Sequence, residues 1–306
     1  MEKDRINVAL AGLGRVGSRT LAVLRDPNLA DMNSDINLVG AVTTQRRSDI
    51  TTAGDIRGFS PPVDVVICAY PDAMIPKMVP TFLKRGLSTV DCYCTHSDIG
   101  AMAEEFHKLT RPNRAVAITG TTWGFGPQSP IRGELRLLAP YANIAIWFCG
   151  RKLGSDTTAA QLLDAAGIRG AKVATIKEKS GEDNMYLYVP DKSDRTKAEK
   201  TIGPHPLFKS TAIHLLDRAE DLPDEFRAEM GMAFDGDVNA SISIGGDNRL
   251  LTAAALCSYV RAAHNLCARG EYGCKLPFEV ALLDRVPGRT REQRVANLTR
   301  MQSFGR

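Results

Sequence analysis

Six consecutive residues, Asp91-Cys92-Tyr93-Cys94-Thr95-His96, bring an acid, thiols, hydroxyls and an imidazole into one short stretch. That set suits proton handling near neutral pH. His96 is either a general acid or base, or a loop imidazole that caps a helix or donates to backbone. Asp91 is either an acceptor for a substrate amine or a structural acceptor for loop amides. A second group of residues is shaped for phosphate: Gly12, Gly14 and Gly17 form GxGxxG within NVALAGLGRVGSRTLAVL. The first glycine permits a tight turn, the second lets backbone approach a pyrophosphate, and the third lets helix pack on strand. Amides of the following helix start, at Arg15 and Val16, then face the anion. A nucleotide's 2′ position is read at the end of the second strand, where an NAD site usually offers an acid. Here AVTTQRR offers Thr43, Thr44, Arg46 and Arg47 and no acid. Hydroxyls and guanidiniums suit a 2′-phosphate, so NADP is expected over NAD, unless both arginines are solvated loop charges.

These residues need a scaffold, and the first third of the chain supplies a rhythm for one. Apolar runs at 6–11, 36–43, 64–69, 88–93 and 115–120 alternate with helical stretches such as MIPKMVPTFLKRG and AMAEEFHKLTR. Strands separated by helices imply βαβ units, hence a Rossmann-type doubly wound parallel sheet. Ligands in such sheets bind outside the carboxyl ends of the strands. Three loops fit: Ala69-Tyr70-Pro71-Asp72, the stretch 91–96, and Gly120-Thr121-Thr122-Trp123-Gly124-Phe125-Gly126.

Beyond about residue 122 the rhythm changes. Strand-like runs at 143–149, 171–176, 185–189, 211–217 and 237–244 are interrupted by helices near 156–166 and 193–201. An α+β domain with an open mixed or antiparallel sheet follows. The longest helical pattern, 250–270, ends at Gly270, a suitable C-cap. The expected division is a dinucleotide-binding domain over 1–122, a substrate and dimerisation domain over 123–248, helices returning to the first domain over 249–284, and a flexible basic tail over 285–306.

Charge and cysteine usage narrow the function. The chain of 306 residues has a formal charge of 39 − 35 = +4. From Arg285 onward there are six Arg and one acid, Glu292, so the tail carries +5 and the body 4 − 5 = −1. A nearly neutral body argues against a nucleic-acid surface. The seven cysteines form no CxxC pair, so reduced thiols are expected and no metal site. No apolar run is long enough for a membrane span and charged MEKDR opens the chain, so a cytoplasmic protein is expected.

Several stretches, in order, resemble the meso-diaminopimelate dehydrogenase family. They are GLGRVG, DVVICAYPDAMIP, STVDCYCTHSDI, ITGTTWGFGPQSPIRGEL, GSD at 154–156, and YVRAAHNL followed by PFEVALL. The similarity runs to about residue 284. It implies an NADP-linked homodimer of lysine biosynthesis that oxidises the D-configured carbon of a diamino diacid to an imine, which water converts to a 2-keto acid and ammonium. Ala69, Tyr70, Pro71, Cys92 and Tyr93 would then line the cofactor. Asp91, Trp123 and Asn248 would line the reacting centre, with His96 or Asp237 as proton carriers.

The departures bear on the substrate. The family has a second acid where Cys94 stands, and an acid after the tryptophan where Gly124 stands. Its carboxylate-binding Arg falls on Asn184 or Met185, and a His falls on Phe234; Asn248 matches. Asp235 and Asp237 either replace part of the lost charge or are turn residues beside Gly236. The alternatives are an NADPH-dependent reductase of another imine or carbonyl compound, and a catalytically silent NADP-binding sensor. A sugar dehydrogenase of the glucose–fructose oxidoreductase type is disfavoured, because the loop at 91–93 has no lysine to act as general base.

Overall fold

The computed structural model describes residues 5–30, 32–43, 48–94, 98–124, 126–138, 143–178, 180–223, 227–235, 240–288 and 290–303. Thr44, Arg46, Arg47, His96 and Asp237 lie outside the described residues.

The chain begins with β1 (Ile6–Ala11), α1 (Arg15–Arg25), β2 (Ile36–Val42), β3 (Thr52–Ala53), β4 (Val65–Cys68), α2 (Ile75–Leu83), β5 (Ser88–Asp91), α3 (Ile99–Thr110), β6 (Val116–Ile118) and α4 (Gln128–Leu138). It continues with β7 (Asn143–Arg151), α5 (Leu153–Ala165), β8 (Lys172–Lys177), β9 (Asp183–Tyr188), α6 (Arg195–Ile202), β10 (Thr211–Leu216), β11 (Arg227–Asp235) and β12 (Ala240–Asp247). It closes with α7 (Asn248–Ala268), β13 (Gly273–Lys275), α8 (Leu282–Arg285) and α9 (Arg291–Ser303). Two compact units result, Met1–Leu135 with Arg249–Arg306, and Arg136–Asn248.

In the first unit seven strands run in the order β13-β6-β5-β4-β1-β2-β3, every recorded pairing parallel. The central strand β4, Val-Val-Ile-Cys, is apolar throughout because both faces of the sheet are covered. On one face Val8, Leu10, Val65, Ile67, Val90 and Ile118 pack with Leu21 of α1 and Leu256, Val260 and Leu266 of α7. On the other, Ala9, Ala11, Val66, Cys68 and Ala117 pack with Val79 and Phe82 of α2 and Met102 and Phe106 of α3. Small residues on that second face let its helices lie close to the sheet. This is the doubly wound arrangement expected.

The second unit is a six-stranded mixed sheet in the order β10-β9-β8-β7-β11-β12. Its strands pair antiparallel except β9 with β10. Those two are joined through α6, the kind of crossover that parallel neighbours require. Ala159 and Leu163 of α5 and Ala198 and Ile202 of α6 pack on Val173, Met185 and Leu187, so the helices share one face of the sheet. Strand β11 and helix α4 have no counterpart in the sequence expectation. The strand described over Ala240–Asp247 runs past the expected end at 244, because Gly245 and Gly246 continue the ladder opposite Glu229 and Ala228.

The C-terminal segment corrects the expectation of a flexible tail. Thr290 and Gln293 make a reciprocal cap, Gln293 N donating to Thr290 Oγ1 at 3.2 Å and Thr290 N to Gln293 Oε1 at 3.3 Å. Arg294 is 9% exposed and donates to Asn265 Oδ1 at 3.1 Å, and Asn297 Nδ2 donates to Pro287 O at 2.8 Å. Much of the tail's positive charge therefore sits on a capped, docked helix. Among the described residues no helix is long and apolar enough to cross a membrane, and no group of His, Cys, Asp and Glu could hold a metal ion. All seven cysteines are free thiols.

Candidate active site

Register across the parallel sheet places three residues in a row at its carboxyl edge: Ala11 of β1 beside Cys68 of β4, and Cys68 beside Asp91 of β5. Parallel strands are roughly 4.8 Å apart, so two steps bring the glycine turn within about 10 Å of Asp91. The turn has the properties that a pyrophosphate needs. Gly12 has φ +93°, and a Cβ there would meet Ala69 O at 2.7 Å. A Cβ on Gly17 would lie 1.9 Å from Gly12 O, so α1 approaches β1 more closely than a side chain allows. At Gly14 a Cβ would meet nothing within 4 Å, leaving open space beside the backbone. Helix α1 starts with Gly14 as N-cap, without a side-chain cap and without an acid in its first turn. Its N-terminus, with Arg15 exposed and Val16 half-buried, is thus suited to an anion.

Thr43 follows β2, its amide donating to Ala53 O at 3.0 Å. Ala69 is buried, while Tyr70 and Pro71 are half-buried in the loop after β4. Burial pushes the Tyr70 phenol up to about 12. Cys92, in the next loop, points its thiol at Cys68 O and Tyr70 O, 3.7 Å from each, and tethers the two loops. Burial holds that thiol well above its ordinary range, so Cys92 is a packing residue and no nucleophile.

Asp91 is completely buried. Its Oδ1 accepts from Tyr93 N at 3.0 Å, Thr119 Oγ1 at 2.9 Å and Gly120 N at 3.1 Å. Its backbone carbonyl accepts from the amide and hydroxyl of Thr121 at 2.9 and 2.7 Å. One residue thereby fixes both the loop after β5 and the loop after β6. Its Oδ2 is buried and has no hydrogen-bond partner among the described residues. Burial pushes the carboxyl up to about 6; the three donors oppose that rise and the nearby Asp72 charge adds to it. Proton exchange near neutral pH is within its reach.

Trp123, in the loop after β6, is 6% exposed; its amide donates to Thr252 Oγ1 of α7 at 3.2 Å, and its buried indole Nε1 has no partner among the described residues. The first unit therefore brings the glycine turn, Tyr70, Asp91 and its loop, and Trp123 to the strand ends of one sheet. Asn248 belongs to the second unit, where its Nδ2 donates to Arg151 O at 2.7 Å. Arg151 itself forms a buried pair with Asp156 at 2.6 Å, and Asp156 also accepts from Thr175 N. In β9 Met185 is fully buried among the α5 and α6 side chains, while Asn184 Oδ1 meets His214 Nε2 at 2.9 Å.

Thr119, Thr121, Thr252 and Asp72 were not singled out from sequence. The hydroxyl run 119–122 was the available signal for the first two, since it directly follows a strand that neighbours β5. Asp72 stood in a crevice loop but carried no spacing that tied it to Cys94, to which it is bonded.

A doubly wound parallel sheet with a glycine turn after its first strand defines the dinucleotide-binding class of α/β folds. Within that class the chain resembles the meso-diaminopimelate D-dehydrogenases along nearly its whole length. It is 25% identical over 311 residues to the enzyme of Bacteroides fragilis, covering 96% of this chain and 99% of that one. It is 22% identical over 321 residues to that of Lysinibacillus sphaericus, covering 90% and 94%. In structure it is similar to an engineered D-amino acid dehydrogenase bound to NADP+, with TM-score 0.79, 20% identity and coverage of 94% and 98%. It is also similar to C. glutamicum DAP dehydrogenase in complex with DAP, with TM-score 0.78, 19% identity and coverage of 99% and 100%. No family model matches the chain.

Proposed function

We propose that this protein is an NADP-dependent dehydrogenase acting on the CH–NH2 group of an amino acid, a divergent relative of the meso-diaminopimelate dehydrogenases. The observation that carries the reading is the row Ala11, Cys68, Asp91, which sets a pyrophosphate-shaped turn and a buried carboxyl of raised proton affinity on one sheet edge. The relatives' activity supplies the reaction class, and the replaced acids at Cys94 and Gly124 leave the substrate's identity open within it. A cytoplasmic homodimer, with a place in lysine biosynthesis if diaminopimelate is the substrate, belongs to the same reading.

The residues fit the cofactor. Gly12 and Gly17 close the turn, Gly14 gives the diphosphate room, and the first amides of α1 face it. When bound, the cofactor accepts a hydride from the amino carbon. The chain's own part is positional and electrostatic. Thr119, Gly120 and Tyr93 fix Asp91, and through it the loops holding Tyr93 and Trp123. The amine loses a proton and the carbon its hydride, giving an imine; water then yields the keto acid and ammonium.

The test is turnover by the purified protein. NADP reduction is followed with D-amino acids, L-amino acids and meso-diaminopimelate, and NADPH oxidation with 2-keto acids plus ammonium. Activity confined to D-configured amino acids is expected. Tight NADPH binding with no turnover on the whole panel points instead to a sensor, and turnover only of aldehydes or preformed imines to a reductase.

A further inference from the structure

Strand β13 is the outermost strand of the first sheet, so the amides on its far side have no neighbouring strand to pair with. Side chains take two of them. Cys274 N donates to Nδ1 of His107, on α3, at 3.3 Å, and Leu276 N donates to Glu279 Oε2 at 2.7 Å. A backbone amide can only donate, so Nδ1 accepts as the hydrogen-free nitrogen of the His107 ring. A Cβ on Gly273 would lie 3.1 Å from that ring, so the bare glycine backbone is what admits the imidazole to the strand edge.

On its inner side β13 reaches the candidate site. Lys275 pairs with Ile118 of β6, and its carbonyl accepts from Thr119 N at 3.1 Å. Thr119 Oγ1 and Gly120 N are two of the three donors to Asp91 Oδ1, at 2.9 and 3.1 Å. The strand is close enough for the Asp91 charge to add to the rise that burial imposes on the Cys274 thiol. Three hydrogen bonds and one peptide link thus lead from the imidazole to the carboxyl.

We propose that His107 is a positioning residue for Asp91: it holds the outer edge of β13, which keeps the Lys275 carbonyl on Thr119 and so keeps Thr119 and Gly120 on the carboxyl. His107 acts through the strand and takes no part in proton transfer. The placement of Asp91 is a property of the fold, while its effect on turnover rests on the reading of the protein as an amino-acid dehydrogenase. Both donors lower the proton affinity of Asp91, so loosening them raises it.

The experiment compares wild type with His107→Leu, which fills the volume without an acceptor, and His107→Asn, whose Oδ1 can stand in for Nδ1. The Asp91 carboxyl is titrated by carbon NMR in each folded protein. In His107→Leu its midpoint is expected to move upward by about 0.4 to 1 pH unit, the equivalent of one weakened hydrogen bond. His107→Asn restores the wild-type midpoint. An unmoved midpoint in His107→Leu, whatever its melting temperature, overturns the proposal and leaves His107 as a cap on the sheet edge. An equal rise in His107→Asn also overturns it, because the ring's charge and not its acceptor is then what Asp91 feels. Where wild type oxidises an amino acid, the pH profile of kcat shifts with the carboxyl while NADPH affinity holds. Absence of turnover by the wild type overturns the functional reading alone, since the titration decides the positioning without it.

Discussion

Arg261 of α7 and Asp35, just before β2, are 226 positions apart and form a two-pronged buried ion pair, Nε to Oδ2 and Nη2 to Oδ1 each at 2.9 Å. Their side chains are 5% and 14% exposed. The same guanidinium also donates to Met32 O and Cys257 O. The pair pins the long C-terminal helix to the loop entering β2. Truncating one partner leaves a buried charge without its counter-ion, which costs about 3–5 kcal/mol. Arg261→Ala is therefore expected to lower unfolding free energy by roughly that amount in urea titrations. Asp35→Ala should do the same, and the double variant should cost much less than the sum.

The glycines of the turn separate folding from binding. Gly17→Ala forces a methyl into Gly12 O and is expected to cost about 1–3 kcal/mol, with loss of NADPH binding as the turn opens. Gly14→Ala has φ −70° and open space, so its melting temperature should match wild type. Its NADPH affinity should nonetheless fall about tenfold or more, since the methyl occupies the volume of the diphosphate. Calorimetry and fluorescence titration together read both outcomes. Unchanged affinity in Gly14→Ala would place the nucleotide elsewhere.

Asp91 makes stability pH-dependent in a definite direction. Its folded carboxyl titrates at about 6, above an unfolded aspartate near 3.8, so the folded state holds the proton more tightly. The stabilisation from protonated Asp91 is complete below about pH 4 and is lost as pH rises through about 6. A shift of about two pH units corresponds to at most about 3 kcal/mol. Relative to Asp91→Asn, which keeps the acceptor for Thr119 and the loop amides, wild type should lose about 2–3 kcal/mol between pH 4 and pH 7. Urea unfolding at four pH values checks this; parallel curves for the two proteins count against it.

The C-terminal helix should resist protease. Trypsin under native conditions is expected to spare Arg294, whose guanidinium is bonded to Asn265 and the Gly288 carbonyl. Arg294→Ala costs about 1–2 kcal/mol, the price of an unpaired Asn265 oxygen and a lost charged bond, and it should open this segment to cleavage. Cleavage of the wild type at Arg294 within minutes would favour a loose tail.

The parallel sheet was legible because β4 is a continuous apolar run and β1 is broken only by Asn7, and because the glycine turn announces where the first strand ends. The second sheet was legible in part. β11 was missed because RAEMGMAFD mixes charges and a glycine with its apolar residues, and only pairing with β7 and β12 on both sides makes it a central strand. The C-terminal helix was missed because its arginines dominate the composition, while its capping residues Thr290 and Gln293 are short-range signals without an apolar stripe. Asp91 was legible as a site residue but not as the anchor of two loops, since its partners at 119–121 come from another strand. Asp72 and Cys94 meet only through the sheet's register, which no local pattern records.

Strand β13 comes from the last ninth of the chain, yet it occupies the edge of the first sheet, pairing Gly273 with Val116 and receiving Thr119 N at Lys275 O. Helix α7, equally late, covers Val8, Leu10 and Ile67. During synthesis, therefore, residues 1–135 emerge with one sheet face lacking α7 and the β6 edge lacking β13, while the inserted unit 136–248 is a continuous piece that can finish folding by itself. The half that bears the nucleotide turn therefore completes its core only after the inserted unit has emerged.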